Sequence, residues 1–411
     1  MGFFTATQLK STSRPSGQIL SCASCGLYRN ALSPKMGAYG RGRKKIMIIG
    51  ESFNEVEDKT GKPWQGKTGL LLKRSLEELG IDLFEDCISV NACRCRPVNK
   101  DGEDRGPENN EVACCSKFLF EDIKRYEPNV IIVLGSLAGY ALLNNRWKHD
   151  LGEITKWRGF TIPDQELEAW VCPTYHPSYV VREEQDVSIK LIWEDDLKCA
   201  IDLATTVVPK NKEPKITVLQ DLSPLNGIHP DLIAFDYETT GIKPHAKGHR
   251  IVCAAVADTA DHAFVFLMPR QREERQPFLN VLDDNLIGKI AHNVKYEDTW
   301  SMVRLGQKIK NWAFDTMLAS HLLDNRPGVT GLKFQVYVNF GIIDYDSEVA
   351  PYIKSIGDDS DGSNSLNKIH AVLQSQQLTN KLLEYCAKDA IYTYRLALKQ
   401  MKTMDYTFLP F

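Results

Sequence analysis

Lys45-Ile46-Met47-Ile48-Ile49-Gly50 is a short apolar run closed by glycine, and Pro128-Asn129-Val130-Ile131-Ile132-Val133-Leu134-Gly135 repeats the pattern ahead of a helical-looking Ser136–Leu143. Apolar runs of this length ending in glycine read as strands buried on both faces that feed a loop and then a helix. Between them, Leu70, Leu71, Leu72, Leu76 and Leu79 give residues 68–79 a helical spacing, and Cys87–Val90 is a further short strand. Ala169–Pro173 supplies a fourth. Strands alternating with helices predict an α/β fold, with a parallel sheet covered on both faces.

Working outward, the composition changes at Thr205, where a charged, proline-bounded stretch without periodicity follows. It reads as an interdomain linker over 205–230, separating a first domain at 1–204 from a second at 231–411. Beyond it Leu232–Phe235, Arg250–Val256 and Ala263–Leu267 read as strands, and the rest is mostly helical by spacing. The polar, acidic stretch Gly357–Asn364 reads as a mobile loop. With 43% hydrophobic and 25% charged residues over 411 positions, the chain has core material for two or three globular domains, which excludes a disordered or fibrous protein. Its net charge of -3 creates no global basic field, so any nucleic-acid surface must be local. No stretch approaches the roughly 18 apolar residues of a membrane span. Met1–Thr7 also lacks a basic flank followed by an apolar run, so a soluble, cytoplasmic protein without a membrane partner is expected.

Three patterns carry chemistry. Asp236 and Glu238 are two apart on a strand and so share a face, where two carboxylates favour a hard divalent cation. Asn293 precedes Glu297 and Asp298 by four and five positions, and Tyr385 precedes Asp389 by four, the spacing of one helix face. The eleven cysteines are an odd number weighted to the first 200 residues, which is not a secreted disulfide framework. Cys22, Cys25, Cys95 and Cys115 have a spacing that suits one tetrahedral set of thiolates, for zinc or an iron-sulfur cluster.

Taken in order, Asp236-x-Glu238, Asn293…Glu297 and Tyr385…Asp389 resemble the three blocks of the proofreading 3′-5′ exonuclease domain of family A DNA polymerases, of the tyrosine subtype and ribonuclease H-like in fold. The resemblance implies two Mg²⁺ or Mn²⁺ ions about 4 Å apart on the scissile phosphate, held by Asp236, Glu238 and Asp389. Tyr385 would orient the attacking water, and Asn293 and Thr239 would contact the terminal nucleotide. The family has Asp four residues after the Asn, whereas here that position is Glu297 and the Asp comes next, at Asp298. The two point about 100° apart on a helix, and register with Asn293 favours Glu297. Asp315 reads equally as support for this site and as a helix N-cap. Only 22 residues follow Asp389, leaving no room for polymerase fingers or palm, so a polymerase partner is expected to be another chain.

The first half resembles the family 4 uracil-DNA glycosylases, a parallel-sheet αβα fold carrying a 4Fe-4S cluster. The residues that carry the likeness are Gly50-Glu51 through Glu57-Asp58, Gly61-x-Pro-Trp64, Gly66-x-x-Gly69-Leu-Leu-Leu72, Asn91-Ala-Cys-Arg-Cys95-Arg-Pro97, Glu111-x3-Cys115-x3-Leu119 and Tyr175-His176-Pro-Ser178. It implies Cys22, Cys25, Cys95 and Cys115 as cluster ligands, in preference to Cys93 and Cys114. Asn91 would read the uracil edge and Trp64 would stack on the base in place of the family's Phe. His176 would stabilise the departing uracil anion, and Glu57 would exclude a 5-methyl group. Glu51 joins the catalytic set and Ser178 the substrate-binding set. Arg94, Arg96 and Lys100 would offer phosphate contacts.

The family's Pro-Gly after its motif Glu is Phe53-Asn54 here, which leaves open a first domain that binds DNA without cutting the glycosidic bond. The fusion resembles the N-terminal part of certain bacteriophage DNA polymerases, which implies the host cytoplasm if phage-encoded. The implied partners are single-stranded DNA or a duplex 3′ end, and uracil-containing DNA.

Overall fold

The computed structural model describes residues 22–23, 25–354 and 366–404, so the loop expected at 357–364 lies outside the described residues. The chain divides into two compact units. One runs to Lys210 and includes Tyr337–Ile343, and the other takes 211–336 and the residues from Asp344 onward.

The first unit runs β1 (Ile46–Gly50), α1 (Glu55–Thr60), α2 (Gly66–Glu78), β2 (Cys87–Asn91), α3 (Asn109–Tyr126), β3 (Val130–Leu134), α4 (Ser136–Leu143), α5 (Ile154–Trp157), β4 (Ile162–Asp164), β5 (Ala169–Thr174), α6 (Pro177–Arg182) and α7 (Val187–Asp202). Its sheet has the order β2-β1-β3-β5-β4. β1, β2, β3 and β5 are parallel, and β4 is an antiparallel edge. All five residues of β1, of β2 and of β3 are buried. Ile46, Ile48, Val130 and Ile132 pack with Leu72 and Leu76 of α2 and Trp193 and Leu197 of α7. Met47, Ile49, Ile131 and Val133 point to the other face and are equally buried. Burial on both faces is the physical reason these strands read as unbroken apolar runs. Four parallel strands bring their carboxyl ends to one edge, where loops can carry a site.

The second unit holds β6 (Lys215–Val218), β7 (Leu232–Thr239), β8 (Ile251–Thr259), β9 (His262–Leu267), α8 (Arg272–Asp283), β10 (Gly288–Ala291), α9 (Val294–Trp300), β11 (Trp312–Asp315), α10 (Thr316–Leu323), the start of α11 (Leu332–Phe340), α12 (Ala350–Ile353), α13 (Ile369–Val372) and α14 (Gln376–Thr403). Its sheet has the order β11-β10-β7-β8-β9-β6. β7, β8 and β9 form an antiparallel meander, and β10 and β11 add in parallel beside β7. One face packs Ala234, Val252, Ala255 and Val265 against Leu382, Cys386, Ala390 and Ile391 of α14. The other packs Phe235, Tyr237, Val256 and Phe266 against Phe278 and Leu282 of α8 and Trp300 of α9. This is the ribonuclease H-like arrangement, in which β7 carries residues to both layers.

The linker reading of 205–230 is corrected in its second half. Lys215–Val218 pairs in parallel with His262–Val265 as an edge strand, and Leu222 and Leu225 are buried in the second core. A four-residue edge strand with half-exposed side chains carries almost no hydrophobic signal, which is why it looked like its charged surroundings. Among the described residues no helix is long and apolar enough to cross a membrane.

Candidate active sites

In the first unit, Glu51, Glu57, Trp64, Asn91, His176 and Ser178 line one cavity at the carboxyl ends of β1, β2 and β5. Gly50 and Asn91 are register partners on β1 and β2. A Cβ at Gly50 would lie 2.3 Å from the Asn91 Oδ1 and 3.0 Å from the Trp64 ring, so glycine is what lets both side chains close on the strand end. The Trp64 indole N–H donates to the Ser89 Oγ at 2.6 Å, and its ring stacks on His176 with centroids 5.8 Å apart. At Gly135, between β3 and α4, φ is +87° and a Cβ would meet the Glu51 carboxylate at 2.5 Å and His176 at 2.9 Å. The two titratable groups therefore meet over a position only glycine fills.

Their environments push them in opposite directions along the pH scale, and both toward neutrality. Burial raises Glu51 to about 7, against the pull of the Leu137 N–H at the start of α4 and of Arg182. Burial, then Arg182, lowers His176 to about 4. The Ser178 backbone N–H donates to the His176 Nδ1 at 3.2 Å, with the Ser178 Oγ 2.8 Å from the same nitrogen. An Nδ1 that accepts leaves the proton of the neutral ring on Nε2. Glu57 lines the cavity while both its oxygens are engaged, one by the Asn54 N–H at 3.0 Å and the other by the Gln65 N–H at 3.1 Å. Asn54 returns the bond by accepting from the Glu57 N–H, a capping box that starts α1. Asn54 thus has a local structural task in place of a tight Pro-Gly turn, and Phe53 is buried beside it.

The four expected cysteine ligands come from the Cys22–Cys25 loop, the segment after β2 and α3. Cys95 and Cys115 are buried in one cluster with Cys93 and Leu27, and Cys25 packs against it. Cys22 is an electrostatic neighbour of Cys25 and Cys95. The Lys35 N–H donates to the Cys95 Sγ at 3.3 Å, as it would to a thiolate. No cysteine among the described residues is in a disulfide. An unoxidised, all-sulfur donor set, with Cys95 and Cys115 buried and Cys22 and Cys25 part-buried, fits a 4Fe-4S cluster. Cys93 and Cys114, which register passes over, are drawn into the same group: Cys93 adjoins Cys115, and Cys114 adjoins Cys25. Two of the expected phosphate contacts are corrected. Arg94 is buried and paired with Asp122, and Arg96 is paired with Asp104, each neutralised by a carboxylate within its own fold.

In the second unit, Asp236 and Glu238 on β7 face α14, where ligand atoms of both lie within 4.8 Å of the Cys386 Sγ. Burial, then the Asp389 charge, raises Asp236 well above the carboxylate range; burial, then Asp236, does the same to Glu238. Glu297 on α9 is buried near Asp236, and its Oε2 has no hydrogen-bond partner. Mutually destabilising carboxylates with an orphaned buried oxygen are the arrangement a divalent cation relieves. Asp298 is turned elsewhere, its Oδ1 accepting from the Trp312 indole N–H at 3.3 Å. Asn293 takes the left-handed conformation at the start of α9. Thr239 is engaged with the Gly241 carbonyl and the Tyr296 hydroxyl, both at 2.7 Å. Asp315 caps α10 and also accepts from the Asn293 and Val294 N–H groups, so both readings of it meet in one side chain. Tyr385 is buried, and burial, then Asp389, raises its hydroxyl well above the phenol range.

Three side chains at this site escaped the sequence reading: Lys333, Tyr345 and Cys386. Lys333 and Tyr345 reach Asp389 from segments with no recognisable motif. Cys386 adjoins Tyr385, and its thiol donates to the Asp236 carbonyl at 3.6 Å; strand-face spacing around Asp236 gives no hint of a partner from α14.

The Uracil DNA glycosylase superfamily matches residues 37–197, and the 3′-5′ exonuclease family of DNA polymerase A type matches 216–405. The type-4 uracil-DNA glycosylase of Thermotoga maritima is 35% identical over 44% of this chain and 88% of its own length. That of Sulfurisphaera tokodaii is 31% identical over 46% and 83%. A DNA polymerase of Bacillus phage SP01 is 30% identical over 42% of this chain, which spans 17% of that polymerase. With its cavity, cysteine group and carboxylate cluster in these places, the chain belongs to the type-4 uracil-DNA glycosylases through its first unit, fused to a 3′-5′ exonuclease domain of the family A DNA polymerase type.

Proposed function

We propose that the protein processes DNA with two hydrolytic activities, excising uracil in its first unit and trimming 3′ ends in its second. The observation that carries the reading is convergence: Glu51, Asn91 and His176 come from the ends of three strands to one cavity, and Asp236, Glu238 and Glu297 from two elements to one buried cluster.

For excision, the base leaves the stack and enters the cavity. The Asn91 amide accepts from uracil N3–H and donates to O4, a pattern cytosine reverses. Trp64 offers a stacking face, and Glu57, clamped by Asn54 and Gln65, stands as a rigid wall to a 5-methyl group. As the glycosidic bond breaks, neutral His176 donates from Nε2 to the uracil O2, where negative charge develops. Glu51, once ionised, accepts the proton of the attacking water. Cys22, Cys25, Cys95 and Cys115 would hold the 4Fe-4S cluster, which would tie the N-terminal loop to α3 and the segment after β2 and would supply no chemistry to the hydrolysis.

For trimming, Asp236, Glu238, Glu297 and Asp389 would hold divalent metal. Mg²⁺ or Mn²⁺ there supplies charge stabilisation to the scissile phosphate and acidifies the attacking water. Tyr385 stays protonated because it is buried, so it orients that water by hydrogen bonding and does not act as its base. Asn293, whose backbone N–H donates to Asp315, would meet the terminal nucleotide.

A second reading, a first unit that grips DNA without cutting it, draws on Phe53 lining the cavity. Site-specific variants separate the two. Asn91→Ala is expected to reduce abasic product by about 10²-fold or more while leaving 3′ trimming intact. Asp236→Ala is expected to reduce trimming by roughly 10³-fold while leaving abasic product intact. Wild-type protein that yields no abasic product from uracil-containing DNA selects the second reading. Equal trimming of DNA and RNA oligomers would remove DNA as the dedicated substrate.

A further inference from the structure

The Lys333 side chain, from the first turn of α11, ends inside the carboxylate cluster of the second unit. Its ammonium contacts the Asp389 Oδ1 and is one-fifth exposed. The Nζ lies 4.0 Å from the ring centroid of Tyr345 and 4.1 Å from that of Tyr385, so two aromatic faces hold the cation. The Tyr345 hydroxyl donates to the same Asp389 oxygen at 2.6 Å. That oxygen thus has both its lone pairs taken, one by an ammonium and one by a phenol. A metal ion that needed it would have to displace a fixed positive charge from between two rings.

We propose that Lys333 is the permanent occupant of one of the two cation positions, so that the exonuclease site takes one divalent ion, beside Asp236 and Glu238, instead of the two expected from its resemblance. The inference rests on the reading of this site as a metal-dependent exonuclease. Lys333 is a positioning residue here: it holds Asp389 and places positive charge on the Tyr385 side of the cluster, where a second ion would otherwise sit.

Counting bound Mn²⁺ by electron paramagnetic resonance tests this on the full, cluster-loaded chain. Counts are made with and without a single-stranded oligomer ending in a 3′ phosphorothioate, taking Asp236→Ala as the baseline for adventitious ions. Wild type is expected to bind one ion above that baseline, and Lys333→Met, which keeps the stem between the rings, to bind two. Lys333→Gln should also bind two, and Lys333→Arg one. Two ions in wild type, or equal counts in wild type and both neutral variants, would overturn the proposal and leave the metal-dependent reading standing. No ion above baseline in any variant would instead remove the metal-dependent reading, and the proposal with it.

Discussion

Glu51 and His176 share one cavity, and their shifts define how uracil excision should depend on pH. His176, lowered to about 4 by burial, is neutral throughout the working range and keeps its Nε2 proton as a donor. Glu51, raised to about 7 by burial, is largely neutral below that pH and cannot accept a proton from water until it ionises. Excision is therefore expected to rise through a midpoint near pH 7 and then level off, with no second limb from the histidine above pH 5. Glu51→Gln should flatten the profile and lower the plateau by about 10²-fold, the usual worth of a general base. A wild-type rate that is flat from pH 5.5 to 8.5 would take Glu51 out of the chemistry. These residues were legible in the sequence because each sits in a short ordered motif, Gly50-Glu51 or His176-Pro177-Ser178. Lys333 and Tyr345 were not: they meet Asp389 across 56 and 44 residues of chain, and only the fold brings them there.

Asp315 shows what an element end does for a site. One carboxylate accepts from the Met317 and Leu318 N–H groups, capping α10, and from the Asn293 and Val294 N–H groups, fixing the start of α9, which carries Glu297. Losing it leaves four backbone donors to find other partners at two helix starts. Asp315→Ala is expected to cost about 2 kcal/mol locally, read as roughly 30-fold faster hydrogen exchange for the first-turn amides of α9 and α10. Asp315→Asn should fall between. Unchanged exchange in α9 would limit Asp315 to capping α10. At this scale the parallel strands of the first sheet were readable, since β1 and β3 are continuous apolar runs buried on both faces, whereas its three-residue edge strand β4 was not. The short strands β6, β10 and β11, four residues each, were not. Four residues span too little of a period to distinguish strand from loop, and β6, paired along one edge and without a buried face, reads like the linker around it.

For the whole molecule, a net charge of -3 offers no general attraction to a polyanion, so binding must come from local surfaces around each site. The two proposed chemistries differ in one respect that needs no mutation to separate them: trimming depends on a divalent ion and excision does not. The central claim is two independent activities in one chain, and one reaction tests it most directly. A 5′-labelled single-stranded DNA with one internal uracil is incubated with cluster-intact protein in excess EDTA, then treated with alkali, and a parallel sample receives excess Mg²⁺. The account predicts a single break at the uracil in EDTA and progressive 3′ shortening once Mg²⁺ is supplied. An oligomer that survives EDTA and alkali intact, with 3′ shortening in Mg²⁺, would contradict it and reduce the first unit to a DNA-binding module.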